Sequence, residues 1–210
     1  MLKKLSLRVK LQGGFIIVNL IFLAVGIVGA LGISKTVDIT NDISFHEKVT
    51  KQILLAKNAH LQWVRNAGEF QRDENLTELN VEKDPGKCDF GKWYYGDERK
   101  KAEAGIPAIA SLLRELEDPH KKLHESAKEL EGILKKGKEY RKDATKFFET
   151  ETTDPLKKLQ KILDQIEPMA EQAGEQSKIS GIAQAEWSKW ISHTLVIIGS
   201  AVALIMGIFL

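Results

Sequence analysis

The chain has a long uncharged apolar stretch near each end, and the region between them has apolar residues at helical spacing. Residues 11–34 contain no charged side chain, and a helix rising about 1.5 Å per residue over this length crosses a hydrocarbon layer of about 30 Å. The second stretch, residues 191–210, follows Trp187 and Trp190, and indole rings favour the membrane interface. Its only polar residues are Ser192, His193, Thr194 and Ser200. Transmembrane helices are therefore predicted at 11–34 and 191–210.

The charges that precede the first stretch predict the membrane orientation. The first ten residues contain four basic side chains, Lys3, Lys4, Arg8 and Lys10. The positive-inside rule makes residues 1–10 a cytoplasmic tail and residues 35–190 an extracytoplasmic domain outside the inner membrane. A signal peptide is the alternative, but the run exceeds an h-region of about 7–15 residues and no small-x-small cleavage site follows it. Because the chain stops at the second stretch, we expect it to be a fragment whose cytoplasmic signalling region or partner is not present.

The region between the two stretches shows helical periodicity and no useful β alternation. One apolar seam advances in strict steps of three and four residues: His46, Val49, Ile53, Ala56, His60, Trp63, Ala67 and Phe70. Further inner faces are predicted at Leu123, Ala127, Leu130 and Leu134, and at Leu159, Ile162, Ile166, Met169 and Ala173. Asp118-Pro119 and Asp154-Pro155 each predict a capping carboxylate before a proline at the first helical position. The predicted fold is all-α, an antiparallel four-helix-type bundle between two transmembrane helices.

Connections and breaks limit how these helices can meet. The polar segment 75–87 with Asp84-Pro85-Gly86 predicts a loop, and residues 88–95 predict a short helix. His60 would stand about 37 Å up a continuous helix from Lys35, whereas uninterrupted later helices would leave His120 close to the membrane. A break near Gly132 or Gly137, or a first helix that does not rise directly from Lys35, would bring the two histidines to one level. The break is the favoured solution.

Charge and cysteine content exclude several classes of protein. The formal net charge is +2 from 31 basic and 29 acidic residues, and beyond residue 10 the basic residues number 27. No basic face remains that is large enough to bind nucleic acid. The single cysteine, Cys88, excludes an internal disulfide framework, a c-type haem attachment and a cluster of several thiolates.

Three histidines and this cysteine form the candidate chemical site. His120 and His124 project from the same face of a helix one turn apart, a spacing that also arises by chance. His60 lies in the buried seam, and Cys88 begins the short helix. Three imidazoles and one thiolate complete a tetrahedral zinc site with no open position for catalysis. A carboxylate-bridged di-iron site is excluded because the second Glu-x-x-His is missing: Lys57 stands three residues before His60.

The same residues resemble a known family. The string Cys88-Asp89-Phe90-Gly91-Lys92-Trp93-Tyr94, the upstream His60-x-x-Trp63 and the downstream His120-x-x-x-His124 together are similar to the chemoreceptor zinc-binding domain over roughly residues 46–134. The resemblance implies that His60, Cys88, His120 and His124 are zinc ligands. It also implies a sensory module of the kind found in bacterial chemotaxis receptors and cyclic-dinucleotide enzymes, implicated in zinc and oxidant sensing.

With a predicted membrane span on each side of the domain, the resemblance implies the periplasmic sensor region of a methyl-accepting chemotaxis protein in a bacterial inner membrane. Zinc or oxidant state would be transmitted across the membrane, with the lipid bilayer and a second copy in a homodimer as expected partners. The alternative is a metal-independent bundle that binds a small ligand between its helices. No enzyme is expected, because the sequence contains no nucleophile–base pair or phosphate-binding loop.

Overall fold

The computed structural model describes residues 6–209, and every regular element within that range is helical. The first five residues of the predicted cytoplasmic tail and Leu210 lie outside the described residues. No strand occurs between residues 6 and 209, which confirms the all-α class. The α-helices are α1 (Leu7–Ala67), α2 (Asp89–Tyr94), α3 (Asp97–Gly105), α4 (Ala110–Glu115), α5 (Glu117–Leu134), α6 (Arg141–Phe147) and α7 (Thr153–Phe209). Short 3-10 turns occur at Gly68–Gln71, Pro107–Ile109 and Lys138–Tyr140, and a π-helix at Phe148–Thr152.

The chain divides into two compact units, one made of residues up to 44 and from 175 onward, the other of residues 45–174. In the first unit α1 and α7 pack closely, since a Cβ added to Gly199 would lie 2.8 Å from Ile21 Cγ2, and one added to Gly181 would lie 2.6 Å from Ile39 Cγ2. Two helical stretches, Arg8–Gln71 and Lys138–Ile205, are long and apolar enough to cross a membrane by length and composition alone.

The core of the second unit contains the predicted seam. All eight seam residues of α1 and the turn after it are buried, from His46 at 5% exposed through Ile53 and Ala67 at 0% to Phe70 at 2%. The predicted face of α5 is also buried, with Leu123, Ala127 and Leu130 at 0% exposed. The periodicity therefore identified the inward faces of the two helices that carry the histidines.

The predicted face of α7 was correct only in part. Leu159 and Ile166 are fully buried as predicted, but Leu163 and Ala170 take the other central positions. Ile162, Met169 and Ala173 lie at the margin of the core, partly buried. The buried face of α7 is thus rotated slightly around the helix axis from the predicted face. It presents the smaller Ala170, rather than Met169, to the centre of the core.

Both predicted carboxylate caps are wrong. The position before α5 is Leu116, and Asp118 lies inside the first turn of α5. Asp154 likewise lies inside the first turn of α7, which follows directly on the π-helix. Because helical backbone already precedes both helices, neither has a free amino end for a side chain to cap.

The predicted helix break is confirmed. Helix α5 ends at Leu134, and Gly137 has a φ of +131°. Residues other than glycine rarely adopt a φ in this region. The chain then continues through the 3-10 turn into α6. His120 and His124 therefore belong to a helix that is separate from the segments leading to α7.

One ion-pair cluster joins α1 to α7 within the second unit. Lys57 Nζ lies 2.5 Å from Glu167 Oε2 and 2.6 Å from Asp164 Oδ1. Gln160 Nε2 donates to the Lys57 carbonyl at 2.9 Å. Lys57 stands one helical turn before His60, so the turn of α1 that contains His60 is bonded directly to α7.

Candidate metal centre

The four predicted ligand residues lie together in the core of the second unit. His60 comes from α1, Cys88 is the residue immediately before α2, and His120 and His124 come from the first half of α5. Their candidate ligand atoms all lie within 4.8 Å of one another. The three histidines are at most 2% exposed, and Cys88 is half-buried.

Distances within the group are those of side chains that face a common point. The His120 and His124 ring centroids are 4.8 Å apart, and the His60 centroid lies 5.0 Å from His120 and 5.7 Å from His124. Cys88 Sγ lies 3.3 Å from His120 Nε2. With usual bond lengths, a tetrahedral zinc separates a sulfur ligand from a nitrogen ligand by about 3.5 Å. The sulfur and this nitrogen already stand at the spacing that such a centre requires.

Hydrogen bonds determine which ring nitrogen of His60 and of His124 is available to bind a metal. His60 Nδ1 donates to the Ala56 carbonyl at 2.7 Å, and His124 Nδ1 donates to the Glu82 carbonyl at 2.7 Å. A carbonyl can only accept, so both rings carry the proton on Nδ1 and have a lone pair on Nε2. A metal-ligating histidine ordinarily donates its other ring N–H in this way.

The buried polar atoms test whether a metal fits here. Within residues 6–209, His124 Nε2 and His120 Nδ1 are buried ring nitrogens with no hydrogen-bond partner. Burying an unsatisfied polar atom costs free energy, and a cation at the common point would satisfy the lone pair of His124 Nε2. The donor set of three imidazoles and one thiolate is the kind that structural zinc sites use. The residues therefore fit zinc.

The electrostatics of the site keep the imidazoles in the form that binds metal. Desolvation by burial lowers the pKa of His60 to about 4 and that of His120 to about 3, and it also lowers the pKa of His124. All three rings are therefore neutral near pH 7, as metal ligation requires. Burial also raises the pKa of the Cys88 thiol, so the sulfur needs a cation to become a thiolate at neutral pH.

A tight turn presents the sulfur. Asp84 Oδ1 accepts the Gly86 N–H at 2.9 Å, and the Lys87 N–H donates to the Asp84 carbonyl at 3.0 Å. The Gly91 N–H donates to Cys88 Sγ at 3.1 Å. A Cβ at Gly91 would lie 1.7 Å from the Pro85 carbonyl oxygen, so only glycine fits at this position.

The segment 72–88 contributes a backbone acceptor that the sequence could not reveal. The Glu82 carbonyl accepts hydrogen bonds from both His124 Nδ1 and Trp63 Nε1, each at 2.7 Å. A backbone carbonyl has no residue-type signature, although the His60-x-x-Trp63 spacing did place the tryptophan on the ligand face of α1.

Glu131 of α5 holds the same segment. Its carboxylate accepts the Leu79 N–H at 2.7 Å and is paired with Lys83. Burial alone would raise the pKa of Glu131, but the hydrogen bonds from Lys83 and the Leu79 N–H outweigh that cost and hold the pKa below its ordinary value. The segment that carries Glu82 is thereby fixed against the helix that carries His120 and His124.

Comparison with known families gives a match over the segment that contains the cluster. Residues 60–130 match the family model of the chemoreceptor zinc-binding domain, a range that begins at the first predicted ligand and includes the other three. No curated protein and no solved structure matches the chain. The predicted resemblance is thereby confirmed for the segment that contains the cluster: residues 60–130 match the chemoreceptor zinc-binding domain, and zinc is the cofactor that this domain binds.

Proposed function

We propose that this chain is the sensor region of a bacterial membrane chemoreceptor, with zinc held by His60, Cys88, His120 and His124. The observation that carries the proposal is the convergence of four candidate ligand atoms within 4.8 Å from three separate segments of the chain. The match of residues 60–130 to the chemoreceptor zinc-binding domain supports the same assignment. Four protein ligands leave no open coordination position, so we propose a signalling role and no catalytic one.

The proposed architecture is an antiparallel helical bundle at 35–190 between membrane spans at 11–34 and 191–210. It is supported by the length and composition of the two apolar helical stretches and by the exposed indoles of Trp187 and Trp190, at 60% and 67%. We place residues 35–190 in the periplasm and residues 1–10 in the cytoplasm, and we propose that two copies form a homodimer. The output passes to a cytoplasmic signalling region or partner.

The residues around the cluster suggest how metal state reaches α7. Zinc supplies a closed centre that joins α1, the Cys88 turn and α5. One turn before His60, Lys57 binds Asp164 and Glu167 of α7. A change in the α1 turn that contains His60 would therefore shift the ion pairs on α7, and a displacement of an ångström or two along such a helix is a known form of signal. Loss of zinc or oxidation of the Cys88 sulfur would produce that change.

The test is metal content and thermal unfolding of the full chain in detergent micelles, with and without a strong chelator. Protein saturated at a thousand times the dissociation constant gains about 4 kcal/mol, which corresponds to a rise of about 10 °C in the Tm of a unit of this size. We expect one zinc per chain and a fall of this order on chelation. Cys88→Ala should abolish both effects, and His193→Ala, an exposed histidine outside the cluster, should change neither.

One combination of results would refute the zinc-sensor proposal. The purified chain would contain no zinc, and neither the chelator nor Cys88→Ala would alter its Tm. The function would then be the metal-independent alternative.

One observation bears on that alternative. A surface cavity of about 470 Å³ in the second unit is lined in part by Phe70, Lys138 and Arg141. Its Arg141 guanidinium already donates to the carbonyls of Phe70, Glu74 and Leu76. Lys138 Nζ, the second cationic group of this cavity, donates to Asn75 Oδ1 at 3.1 Å. Both cationic groups are thus engaged by the protein itself, which favours the metal-dependent proposal.

A further inference from the structure

The Glu82 carbonyl connects α1 to α5 through two side-chain hydrogen bonds. Trp63 Nε1 donates to it from α1 at 2.7 Å, and His124 Nδ1 donates to it from α5 at 2.7 Å. Trp63 is 8% exposed and His124 is 0% exposed. The two rings also touch, with centroids 5.2 Å apart and planes inclined at 62°.

The direction of this carbonyl decides whether His124 can act as a ligand. When Nδ1 donates to an acceptor, the lone pair is on Nε2, which is the buried ring nitrogen of His124 without a hydrogen-bond partner among the described residues. Glu82 lies between the 3-10 turn at Gly68–Gln71 and α2, where no helix or strand sets the direction of its carbonyl. A carbonyl oxygen has two acceptor sites, and the Trp63 N–H occupies one of them.

We propose that Trp63 is a positioning residue for the metal centre, acting through the Glu82 carbonyl to fix the tautomer and ring orientation of His124. The proposal rests on the zinc site of the proposed function and assigns a role to a residue that does not itself contact the metal. Trp63 Nε1–H holds the oxygen in place, the oxygen holds His124 Nδ1–H, and His124 Nε2 is thereby aimed at the point shared with His60, His120 and Cys88. Outer partners of this kind typically change metal affinity by 10–100-fold.

The test is Trp63→Phe in the full chain in detergent micelles, because phenylalanine retains an aromatic ring and lacks the N–H. Zinc affinity is measured by competition with a chromophoric chelator. We expect it to fall by about 10–100-fold. The matched control is Trp93→Phe, since the Trp93 indole is half-buried and packs on Phe90 with centroids 5.8 Å apart. The control should stay within about twofold of wild type.

A cobalt spectrum separates positioning from simple loss of packing. Cobalt(II) in a four-coordinate site of three imidazoles and one thiolate absorbs strongly in the visible range, and replacement of one imidazole by water lowers and shifts that absorption. We expect Trp63→Phe to show this change while Trp93→Phe retains the wild-type spectrum.

A second measurement on wild-type protein avoids dependence on the folding of Trp63→Phe. Coupling between two sites is reciprocal, so zinc should slow hydrogen exchange of the Trp63 indole N–H by the same 10–100-fold factor. The variants Trp93→Phe, Trp187→Phe and Trp190→Phe assign the Trp63 indole resonance by elimination.

The outcomes are distinct. Wild-type protein that binds no zinc would refute the proposed function itself. Wild-type protein that binds zinc, with Trp63→Phe within twofold of it or with equal losses in Trp63→Phe and Trp93→Phe, would overturn the positioning role and leave the zinc site standing. Indole exchange at Trp63 that is unchanged by zinc would overturn it as well.

Discussion

Gly91 provides a sharp test of how the Cys88 sulfur is presented. An added Cβ at this position would lie 1.7 Å from the Pro85 carbonyl oxygen, 2.8 Å from its carbonyl carbon and 3.2 Å from Gly86 Cα. These obstacles are all backbone atoms, so no side chain can rotate out of the way. The same residue donates its N–H to Cys88 Sγ at 3.1 Å. Gly91→Ala therefore strains the turn that holds the proposed thiolate ligand.

The size of the effect follows from the overlap. An ordinary contact between Cβ and a carbonyl oxygen is about 3.3 Å, so the turn at 85–88 must move away by roughly 1.5 Å, whereas metal–ligand distances tolerate about 0.2 Å. Overpacking of this kind costs about 1–3 kcal/mol, occasionally more. The metal-free turn can relax, but zinc binding would force the sulfur back into place. A strain of about 3 kcal/mol then appears as a loss of about 100-fold in zinc affinity.

The assay compares Gly91→Ala with Gly132→Ala by chelator competition and by urea unfolding. Gly132 is an exposed residue of α5, and a Cβ there would meet no described atom within 4 Å outside the neighbouring backbone of its own helix. Alanine in a helix interior is favoured over glycine by up to about 1 kcal/mol, so Gly132→Ala should hold or raise stability and leave zinc affinity unchanged. Wild-type zinc affinity in Gly91→Ala would refute the steric account of this glycine.

Three further changes test other parts of the structure. Leu123→Ala removes a side chain that is 0% exposed, and urea unfolding should show a loss of about 2–5 kcal/mol. The pKa of Glu131 is lowered in the folded protein, so its stabilisation is present above the ordinary carboxyl pKa and is lost as pH falls through the folded value. Urea unfolding of metal-free Glu131→Gln should therefore show a deficit at pH 7 that shrinks below about pH 4. Gly199→Leu would place a branched side chain against Ile21, where even a Cβ approaches to 2.8 Å, and thermal unfolding in micelles should show a lower Tm. At Gly29 a Cβ would meet no atom of the described part of the chain within 4 Å outside the neighbouring backbone of its own helix, so Gly29→Leu should leave the Tm unchanged.

The helix faces that carry the candidate ligands could be predicted from the sequence. A helix buried along one face has apolar residues every three or four positions, and this spacing is visible in the sequence. The eight seam residues, from His46 on α1 to Phe70 in the turn after it, advance in steps of three and four, and all eight are buried. A histidine in such a seam must either be hydrogen-bonded or bind something. His60 is hydrogen-bonded through Nδ1, which leaves the lone pair of its Nε2 available as a ligand. The pair His120 and His124 followed from helical geometry in the same way.

The parts that the sequence did not predict depend on backbone atoms and on neighbouring elements. Asp118 and Asp154 carry the capping chemistry, yet preceding helical backbone removes the free ends that they would cap. The Glu82 carbonyl orients His124, and any residue type could have supplied it. The steric need for Gly91 comes from the Pro85 carbonyl, whose position depends on the fold of the whole turn.

The end of α5 explains how histidines so far apart in sequence can share one point. An uninterrupted helix from Pro119 would have placed His120 at a level different from that of His60. Helix α5 stops at Leu134, and Gly137 takes a φ of +131°. Because the chain turns there, α5 does not continue in a straight line into the segments that lead to α7. The first turns of α5 can therefore lie beside the middle of the buried seam. The site therefore depends on Gly137, which lies outside the ligand cluster. A residue at position 137 that cannot adopt this φ would distort the turn after α5. Four candidate ligand residues in the correct order are not sufficient for the proposed centre, because it also requires the break that brings them to the same level.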